Sequence, residues 1–417
     1  MHPGEYILER VAISSCIDND DSFGEESLEL HRKHHGVLEV SSKVKLKDTR
    51  DLSILYTPGV ATPCETIVKD SLEVYNLTLK NNTVAVITDG SAVLGLGNIG
   101  AHAALPVMEG KSIIFKELAG VDAFPICLDT QDAEEIIRTV KNIAPVFGGI
   151  NLEDISAPRC FEIEKRLKEE LPIPVFHDDQ HGTAIVTIAG LLNALELVGK
   201  SFEDISVVVS GAGAAGKAIA KKLLHWGVKS ENLLVCDSKG IIFEGRIEGM
   251  NSQKEEIAGF SNKDKLNGSL EDAIKEADVF IGVSAPGILT SEMVASMGKD
   301  AIVFAMANPI PEIMPNEAKA AGARVVATGR SDCPNQINNC LGFPGIFRGA
   351  LDTRASDITL DMEFAAVHAL AGIVAESEIQ ENYIIPNPLD ERVVPAVSEA
   401  VARAAVESGV AQIVPSR

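Results

Sequence analysis

Two pairs of adjacent carboxylates are the side chains best suited to chemistry in this sequence. Glu153 with Asp154, and Asp178 with Asp179, each come just after a short apolar stretch. One acidic pair usually marks a charged surface, but two pairs at the ends of apolar runs offer the hard oxygen ligands that Mg²⁺ or Mn²⁺ prefers. No set of histidines and cysteines with zinc spacing competes with them. The pattern therefore predicts a divalent-cation site.

Tyr56 and Lys111 are the side chains best suited to moving protons. Tyr56 opens the turn-like sequence Tyr-Thr-Pro-Gly-Val, and Lys111 precedes the apolar stretch 112–115. Both residue types serve as general acids or bases in enzymes. Spacing alone does not separate this role from that of a packing tyrosine and a surface lysine, so both interpretations stay open at this point.

A glycine-rich turn predicts a dinucleotide site in the second half of the chain. The run of β-branched residues at 205–209 leads into Gly211-Ala212-Gly213-Ala214-Ala215-Gly216, and a helical pattern follows. These glycines allow a tight turn, close approach of the pyrophosphate, and close packing of helix on strand. Asp237 ends the next apolar run, where a carboxylate can bind the ribose hydroxyls. This acid favours NAD, whereas Lys239 could pair with the 2′-phosphate of NADP.

Apolar runs that end in polar residues predict an α/β fold for the whole chain. Such runs end at Asp89 and Asp178 in the first half and near Asn308 in the second. Sites in open α/β sheets lie at these strand ends, so Asn308 is expected near the nicotinamide. We predict an α/β substrate domain at 1–183 and a Rossmann-type, doubly wound NAD(P)-binding domain at 184–417.

The C-terminal part of the second domain is predicted to be helical. Val393, Val397, Val401 and Ala405 recur at a spacing of four, which places them on one helix face. We expect this stripe to pack in the core or against another subunit.

Composition limits the possible partners. The chain has 417 residues and a net charge of -23, and such a field repels nucleic acid and anionic lipid surfaces. A small anionic substrate therefore needs local positive charge from a metal, a lysine or a helix N-terminus. Seven scattered cysteines fit a reducing cytoplasm. No stretch approaches the roughly 18 apolar residues of a membrane span, so we expect a cytoplasmic protein with no membrane or nucleic-acid partner.

The N-terminal region is expected to be a polar and irregular leader over roughly the first 30 residues. It includes acids at 18–21. His31, His34 and His35 have a spacing that a metal could use. They lie beside two cations and a glycine, however, which favours an exposed helix end.

Five motifs together resemble the malic enzyme family in its short prokaryotic form. The match runs from about residue 48 to near the C-terminus, and the motifs lie in order at 56–60, 86–97, 106–111, 176–183 and 343–352. The resemblance implies oxidative decarboxylation of malate to pyruvate and CO₂ with reduction of NAD, or possible use of NADP, and a need for Mg²⁺ or Mn²⁺. It also implies a homodimer or a multiple of dimers, in which Tyr56 and Lys111 of one site can come from different subunits.

The resemblance also implies roles for individual residues. Tyr56 is implied to be the general acid, Lys111 the general base and Asp178 its proton-relay partner. The implied metal ligands are Glu153, Asp154 and Asp179, and the implied substrate asparagines are Asn308 with one or both of Asn338 and Asn339. Implied cofactor contacts are Gly211, Gly213, Ala214, Ala215, Gly216, Asp237 and Asn308. One departure is at 101–104, where relatives more often have a loop with leucine and glycine, so the shape of this loop is expected to differ.

Other functions stay open at this stage. A malolactic enzyme or a simple 2-hydroxy acid dehydrogenase would use the same cofactor and differ in product. A catalytically silent, nucleotide-binding regulatory protein would keep the fold without the chemistry. The combination of Tyr56, Lys111 and the carboxylates argues against the silent protein.

Overall fold

The computed structural model describes residues 22–415, which fold into two open β-sheets flanked by helices. The strands are β1 (Thr83–Thr88), β2 (Asp122–Cys127), β3 (Gly149–Leu152), β4 (Val175–His177), β5 (Val207–Ser210), β6 (Leu233–Asp237), β7 (Gly240–Ile241), β8 (Val279–Gly282), β9 (Ile302–Ala305) and β10 (Val325–Thr328). The helices are α1 (Ser22–His34), α2 (Thr49–Leu55), α3 (Ala61–Lys69), α4 (Glu73–Leu77), α5 (Gly100–Ala119), α6 (Ala133–Ile143), α7 (Arg159–Glu170), α8 (Asp178–Val198), α9 (Ala214–His225), α10 (Ser252–Phe260), α11 (Leu270–Ile274), α12 (Ser291–Ala295), α13 (Pro315–Ala320), α14 (Phe343–Asp352), α15 (Leu360–Ala371) and α16 (Val393–Glu407).

The first sheet has the strand order β2-β1-β3-β4, and its neighbouring strands are all parallel. Every residue of β1 is buried, as expected for a parallel strand covered on both faces. Because the strands run in the same direction, the side chains that follow them lie along one edge. Asp89, Glu153 and Asp178 follow β1, β3 and β4 there. The winding reverses between β1 and β3, which is where open α/β sheets bind ligands.

The second sheet has the order β10-β9-β8-β5-β6-β7, and only β6 and β7 pair antiparallel. Its winding reverses between β5 and β8, which end beside Gly211 and Val283. Gly211 has φ 119°, and an added Cβ would lie 2.5 Å from the carbonyl oxygen of Val283. Only glycine lets the two strand ends approach so closely. This is the predicted Rossmann-type, doubly wound sheet.

One apolar core joins the two sheets. It contains Val84 of β1, Val209 of β5 and Val397 of α16. The whole predicted stripe on α16 is buried, namely Val393, Val397, Val401 and Ala405. Among the helices of residues 22–415, only α8 is long and apolar enough to cross a membrane, and 67% of its most apolar window is buried inside the fold. α8 is therefore a core helix, and the predicted domain boundary at 183 falls within it.

The N-terminal region differs from the irregular leader that we expected. Residues 22–34 form α1, which begins with acidic and ends with basic side chains, an arrangement that favours a helix through its dipole. The acids at 18–21 lie outside the described residues. α1 ends at His34, and Nδ1 of His31 lies 2.8 Å from the Ser27 carbonyl oxygen. These histidines therefore sit at an exposed helix end.

Residues 101–104, where the sequence departs from the family pattern, are helical. They form the first turn of α5, in which Ala101 and Ala104 are buried. Alanine is the strongest helix former, so its recurrence here accounts for a helix in place of a loop.

Candidate active site

Lys111 is buried against two carboxylates at the carboxyl edge of the first sheet. Its Nζ lies 2.5 Å from Oδ2 of Asp178 and 3.0 Å from Oε1 of Glu153. Nζ also lies 4.2 Å from the centroid of the Phe343 ring, within range of a cation–π interaction. Burial lowers the pKa of Lys111, but the charges of Asp178 and Glu153 outweigh it and raise this pKa above its usual value. The neighbouring carboxylates thus favour the ammonium form of Lys111.

Glu153, Asp154 and Asp179 converge beside Lys111. One oxygen of each carboxylate lies within 4.8 Å of the others. The backbone N–H of Asp154 donates to Oδ2 of Asp179 at 2.8 Å, and Asp154 has a left-handed φ of 54°. Few residues other than glycine adopt this conformation. The turn after β3 therefore takes an uncommon conformation at the point where the acids meet.

The cluster fits a divalent cation by its chemistry. The carboxylates of Glu153 and Asp178 share the ammonium group of Lys111, and its charge also acts on Asp179. Burial raises the pKa of Glu153 to about 7 and that of Asp179 to about 6, because so few counter-charges compensate them. Carboxylate oxygens are the donors that Mg²⁺ and Mn²⁺ prefer. Glu153, Asp154 and Asp179 are therefore candidate metal ligands.

A cavity of about 760 Å³ connects the acid cluster to the second sheet. Its walls include Lys111 together with the three implied substrate residues Asn308, Asn338 and Asn339. Oδ1 of Asn338 accepts the backbone N–H of Cys340 at 3.0 Å, which fixes the direction of this side chain. The fold thus brings the implied base, the acid cluster and all three asparagines to one cavity.

The glycine-rich turn borders the same cavity through Gly213, Ala214 and Ala215. A second cavity, of about 920 Å³, shares Gly213 and Ser284 with the first and extends to Asp237. A dinucleotide bound along both cavities would meet the N-terminus of α9 with its pyrophosphate, because backbone N–H groups there favour anions. Gly213, Ala214 and Ala215 would hold it at the border of the cavity that contains Lys111.

Asp237 contacts two cations that the sequence patterns did not reveal. Nη1 of Arg246 donates to Oδ1 at 2.9 Å and its Nη2 to Oδ2, while Nζ of Lys254 lies 2.6 Å from Oδ2. Lys239, in contrast, pairs with Glu248 at 2.9 Å. Burial raises the pKa of Asp237, but hydrogen bonds from Arg246 and Lys254 outweigh it and lower this pKa to about 2. The ribose end of the cleft therefore offers an acid already paired with two cations.

Tyr56, unlike the other implied catalytic residues Lys111 and Asp178, lies away from the Lys111 cavity in the single chain. It directly follows α2, its side chain is 67% exposed, and it is absent from the walls of the Lys111 cavity. Helices α2, α3 and α4 contain no buried residue. This whole segment thus lies on the surface.

A buried ion network behind the first turn of α8 was missed by the sequence analysis. Nε2 of His181 lies 2.9 Å from Oε1 of Glu164, and its Nδ1 lies 3.0 Å from Oε1 of Glu363. Burial lowers the pKa of His181, but the two carboxylates outweigh it and raise this pKa to about 10. The position of His181, three residues after Asp178 on α8, was the one available signal. Glu164 and Glu363 lie on α7 and α15, and no spacing connects them.

Comparisons with known proteins agree with the motifs. Family models for the malic enzyme N-terminal domain and the malic enzyme NAD binding domain match residues 35–168 and 180–409. The chain is 62% identical to the bifunctional malic/malolactic enzyme of Bacillus subtilis (strain 168) over 392 residues, which is 94% of this chain and 95% of that protein. It is 61% identical to the NAD-dependent malic enzyme of Geobacillus stearothermophilus over 377 residues, which is 90% of this chain and 78% of that protein.

A solved structure agrees with the fold as well. The crystal structure of malic enzyme from Pyrococcus horikoshii matches with a TM-score of 0.88 at 50% identity, over 94% of this chain and 92% of that chain. The resemblance in the motifs is confirmed, and with it an enzyme that uses a nicotinamide cofactor. This chain belongs to the malic enzyme family.

Proposed function

We propose that this chain converts (S)-malate and oxidised NAD to pyruvate, CO₂ and reduced NAD, with Mg²⁺ or Mn²⁺ as its metal. The observation that carries the proposal is the buried pair of Lys111 and Asp178, 2.5 Å apart beside the acid cluster. The same cavity reaches the glycine-rich turn at Gly213. A base, a cation site and a nucleotide site in one cavity are what oxidation and decarboxylation of a 2-hydroxy acid need.

Lys111 acts as the general base toward the C2 hydroxyl group in this proposal. Asp178 contacts its Nζ at 2.5 Å and would pass protons to and from it. Burial raises the pKa of Asp178 to about 7, although Lys111 lowers it. The positive charge of a cation held by Glu153, Asp154 and Asp179 would lower the pKa of Lys111 and so would favour the neutral amine that a general base requires. A divalent cation held by Glu153, Asp154 and Asp179 would supply Lewis-acid polarisation of the C2 oxygen. The amides of Asn308 and Asn338 offer N–H donors for the substrate carboxylates.

Tyr56 protonates C3 after CO₂ has left, and we infer that it does so from the partner subunit of a homodimer. The surface position of Tyr56 supports this inference, because a second copy can bring it to the cavity. Apolar side chains are exposed around it, as on a face that a partner covers: Leu52, Ile54, Leu55, Val60, Val68, Leu72 and Leu77.

A mixing experiment tests the shared site. Tyr56→Phe and Lys111→Met proteins, each nearly inactive alone, are mixed, dissociated and reassociated. If each site takes its tyrosine and lysine from different subunits, random pairing restores about a quarter of the sites, because half of the dimers contain one intact site. Failure of the mixture to gain activity over the separate proteins contradicts the shared site.

The cofactor is NAD in this proposal, with NADP possible. Asp237 supports NAD through hydrogen bonds to the ribose hydroxyls. Arg246 and Lys254 lie on the same carboxylate, so a 2′-phosphate would also meet positive charge. The ratio of initial rates with the two cofactors decides between them.

The reaction itself is tested by incubating the protein with L-malate, Mn²⁺ and either cofactor. We expect pyruvate, CO₂ and reduced cofactor in equal amounts, and no turnover after treatment with EDTA. Oxaloacetate as the final product would instead indicate a simple dehydrogenase, and no product with either cofactor would indicate a silent nucleotide-binding protein.

Malolactic turnover is a second candidate, and the name of the 62% identical Bacillus subtilis relative favours it. That reaction would give lactate and CO₂ from malate without net reduction of NAD. Assaying lactate beside pyruvate separates the two activities. We further propose a cytoplasmic location, which rests on the scattered spacing of the cysteines in the sequence.

A further inference from the structure

The first turn of α8 carries Asp178 and Asp179 but has no capping side chain of its own. His177 is its N-cap residue and makes no side-chain capping hydrogen bond. Glu164 of α7 contacts this turn from outside, because its Oε1 accepts a hydrogen bond from the backbone N–H of His177 at 3.1 Å. Oε2 of Glu164 accepts Nε2 of Gln180 at 3.0 Å, one turn along the same helix. The start of α8 is therefore held by a carboxylate of another helix.

His181 extends this attachment to the second half of the protein. Its Nε2 faces Glu164 and its Nδ1 faces Glu363 of α15, each at about hydrogen-bond distance, so both ring nitrogens carry protons. Glu363 in turn pairs with Lys222 of α9, and both of these side chains are buried. His181, two positions after Asp179, is thus hydrogen-bonded to α7 on one side and to α15 on the other.

This arrangement is mostly buried. The side chains of Glu164 and Glu363 are 9% and 6% exposed, and with His181, which is 26% exposed, they line a cavity of about 540 Å³. Charged hydrogen bonds in such surroundings are strong and directional. Any rotation of the first turn of α8 must break at least one of them. The same turn sets the position of Asp179 relative to Glu153 and Asp154.

We propose that His181 is a positioning residue that fixes the first turn of α8, and so Asp179, in the arrangement that binds the metal. The inference rests on the proposed metal site of Glu153, Asp154 and Asp179. His181 touches neither metal nor substrate, and it acts through the helix that it anchors. Removal of such outer partners typically lowers metal affinity or activity by about 10–100-fold.

The test is direct titration of the full-length protein with Mn²⁺, in which the electron paramagnetic resonance signal reports free Mn²⁺. His181→Ala removes both hydrogen bonds, and His181→Gln keeps an N–H donor that can reach one carboxylate. Lys200→Ala is the matched control, because Lys200 forms a 2.7 Å ion pair with Asp278 at 23% side-chain exposure, close to the 26% of His181. NAD affinity and the melting temperature are measured for each protein.

We expect His181→Ala to raise the Kd for Mn²⁺ by about 10-fold or more while the Kd for NAD stays at the wild-type value. His181→Gln should recover part of the loss, and Lys200→Ala should bind Mn²⁺ like the wild type. If His181→Ala binds Mn²⁺ with wild-type affinity, the proposed role of His181 is wrong, while the proposed metal site stands. Equal loss of Mn²⁺ and NAD binding also overturns the positioning role, because the role is then general folding. A wild-type protein that binds no Mn²⁺ overturns the proposed metal site itself.

Discussion

Replacing Lys111 with methionine removes the ammonium group that compensates the acid cluster. The side chain is 7% exposed and contacts Asp178 and Glu153 at 2.5 and 3.0 Å. Methionine fills a similar volume, so lost packing is small and the change is mainly one of charge. Asp178→Asn is the matched variant. It also breaks the Lys111–Asp178 ion pair, but it removes a negative charge beside Glu153, Asp154 and Asp179 instead of a positive one.

The two variants should differ in stability when no metal is bound. Loss of one partner of a buried ion pair lowers the free energy of unfolding by about 3–5 kcal/mol when the other partner is left uncompensated. Lys111→Met leaves the carboxylates of Asp178 and Glu153 without this cation. At roughly 2 °C per kcal/mol for a cooperative unit of about 200 residues, the melting temperature should fall by roughly 6–10 °C. Asp178→Asn leaves Lys111 paired with Glu153 and relieves repulsion, so its cost should be well below that of Lys111→Met.

Calorimetry in EDTA at pH 8 measures this difference, since most of the carboxylates are then ionised. Both variants should also lose about 10²–10⁴ in kcat with saturating Mn²⁺, because each removes one member of the proton relay. A Lys111→Met protein that melts like the wild type would refute the charge argument. So would an Asp178→Asn protein that is destabilised as strongly as Lys111→Met.

Three further predictions concern the cofactor domain. Gly216→Ala should lower the melting temperature, because its Cβ would lie 1.8 Å from the Gly211 carbonyl oxygen. The Cβ of Gly213→Ala meets no atom within 4 Å, so this variant should weaken NAD binding without lowering the melting temperature. Calorimetry and NAD titration distinguish the two variants. Lys254→Met should reduce kcat/KM for NADP by roughly 10-fold or more and leave that for NAD nearly unchanged, as expected for one charged hydrogen bond to a phosphate. The pairing of Asp237 should stabilise the fold fully above the ordinary carboxyl pKa and be lost as the pH falls through about 2, since the folded-state pKa is lowered; the melting temperatures of wild type and Asp237→Asn should therefore differ at pH 6 and converge in acid.

Most of the fold could be predicted because its signals are local. The strands at Thr83–Thr88 and Ile302–Ala305 are short apolar runs that end in polar turns, and each is a buried parallel strand. The stripe on α16 follows from helical spacing alone. The error lies at α1, where the abundance of charged residues suggested an irregular leader although residues 22–34 form a helix.

The acid cluster could be predicted in part for the same reason. Glu153 and Asp178 follow strands of one parallel sheet, so their meeting at one edge follows from topology. The pairing of Lys111 with Asp178 does not follow from topology, because α5 reaches this edge of the sheet through tertiary packing. The role of Lys111 was implied by the motif at 106–111. Arg246 and Lys254 were missed since they lie on a loop and a helix beyond β6, and only the folded chain brings them to Asp237.

The distribution of charge explains how an acidic protein can bind a dianionic substrate. The chain carries -23 overall, yet positive charge or helix N–H groups lie at each place that the proposal gives to an anion. These are Lys111 beside the acids, the start of α9 for the pyrophosphate, and Arg246 with Lys254 at Asp237. Lys111 is outnumbered by carboxylates until a divalent cation joins it. The acid cluster should therefore repel malate when empty and attract it when loaded, so metal binding is expected to precede substrate binding. Equilibrium titration tests this order: malate should bind with measurable affinity only in the presence of Mn²⁺, and tight binding of malate in EDTA would contradict it.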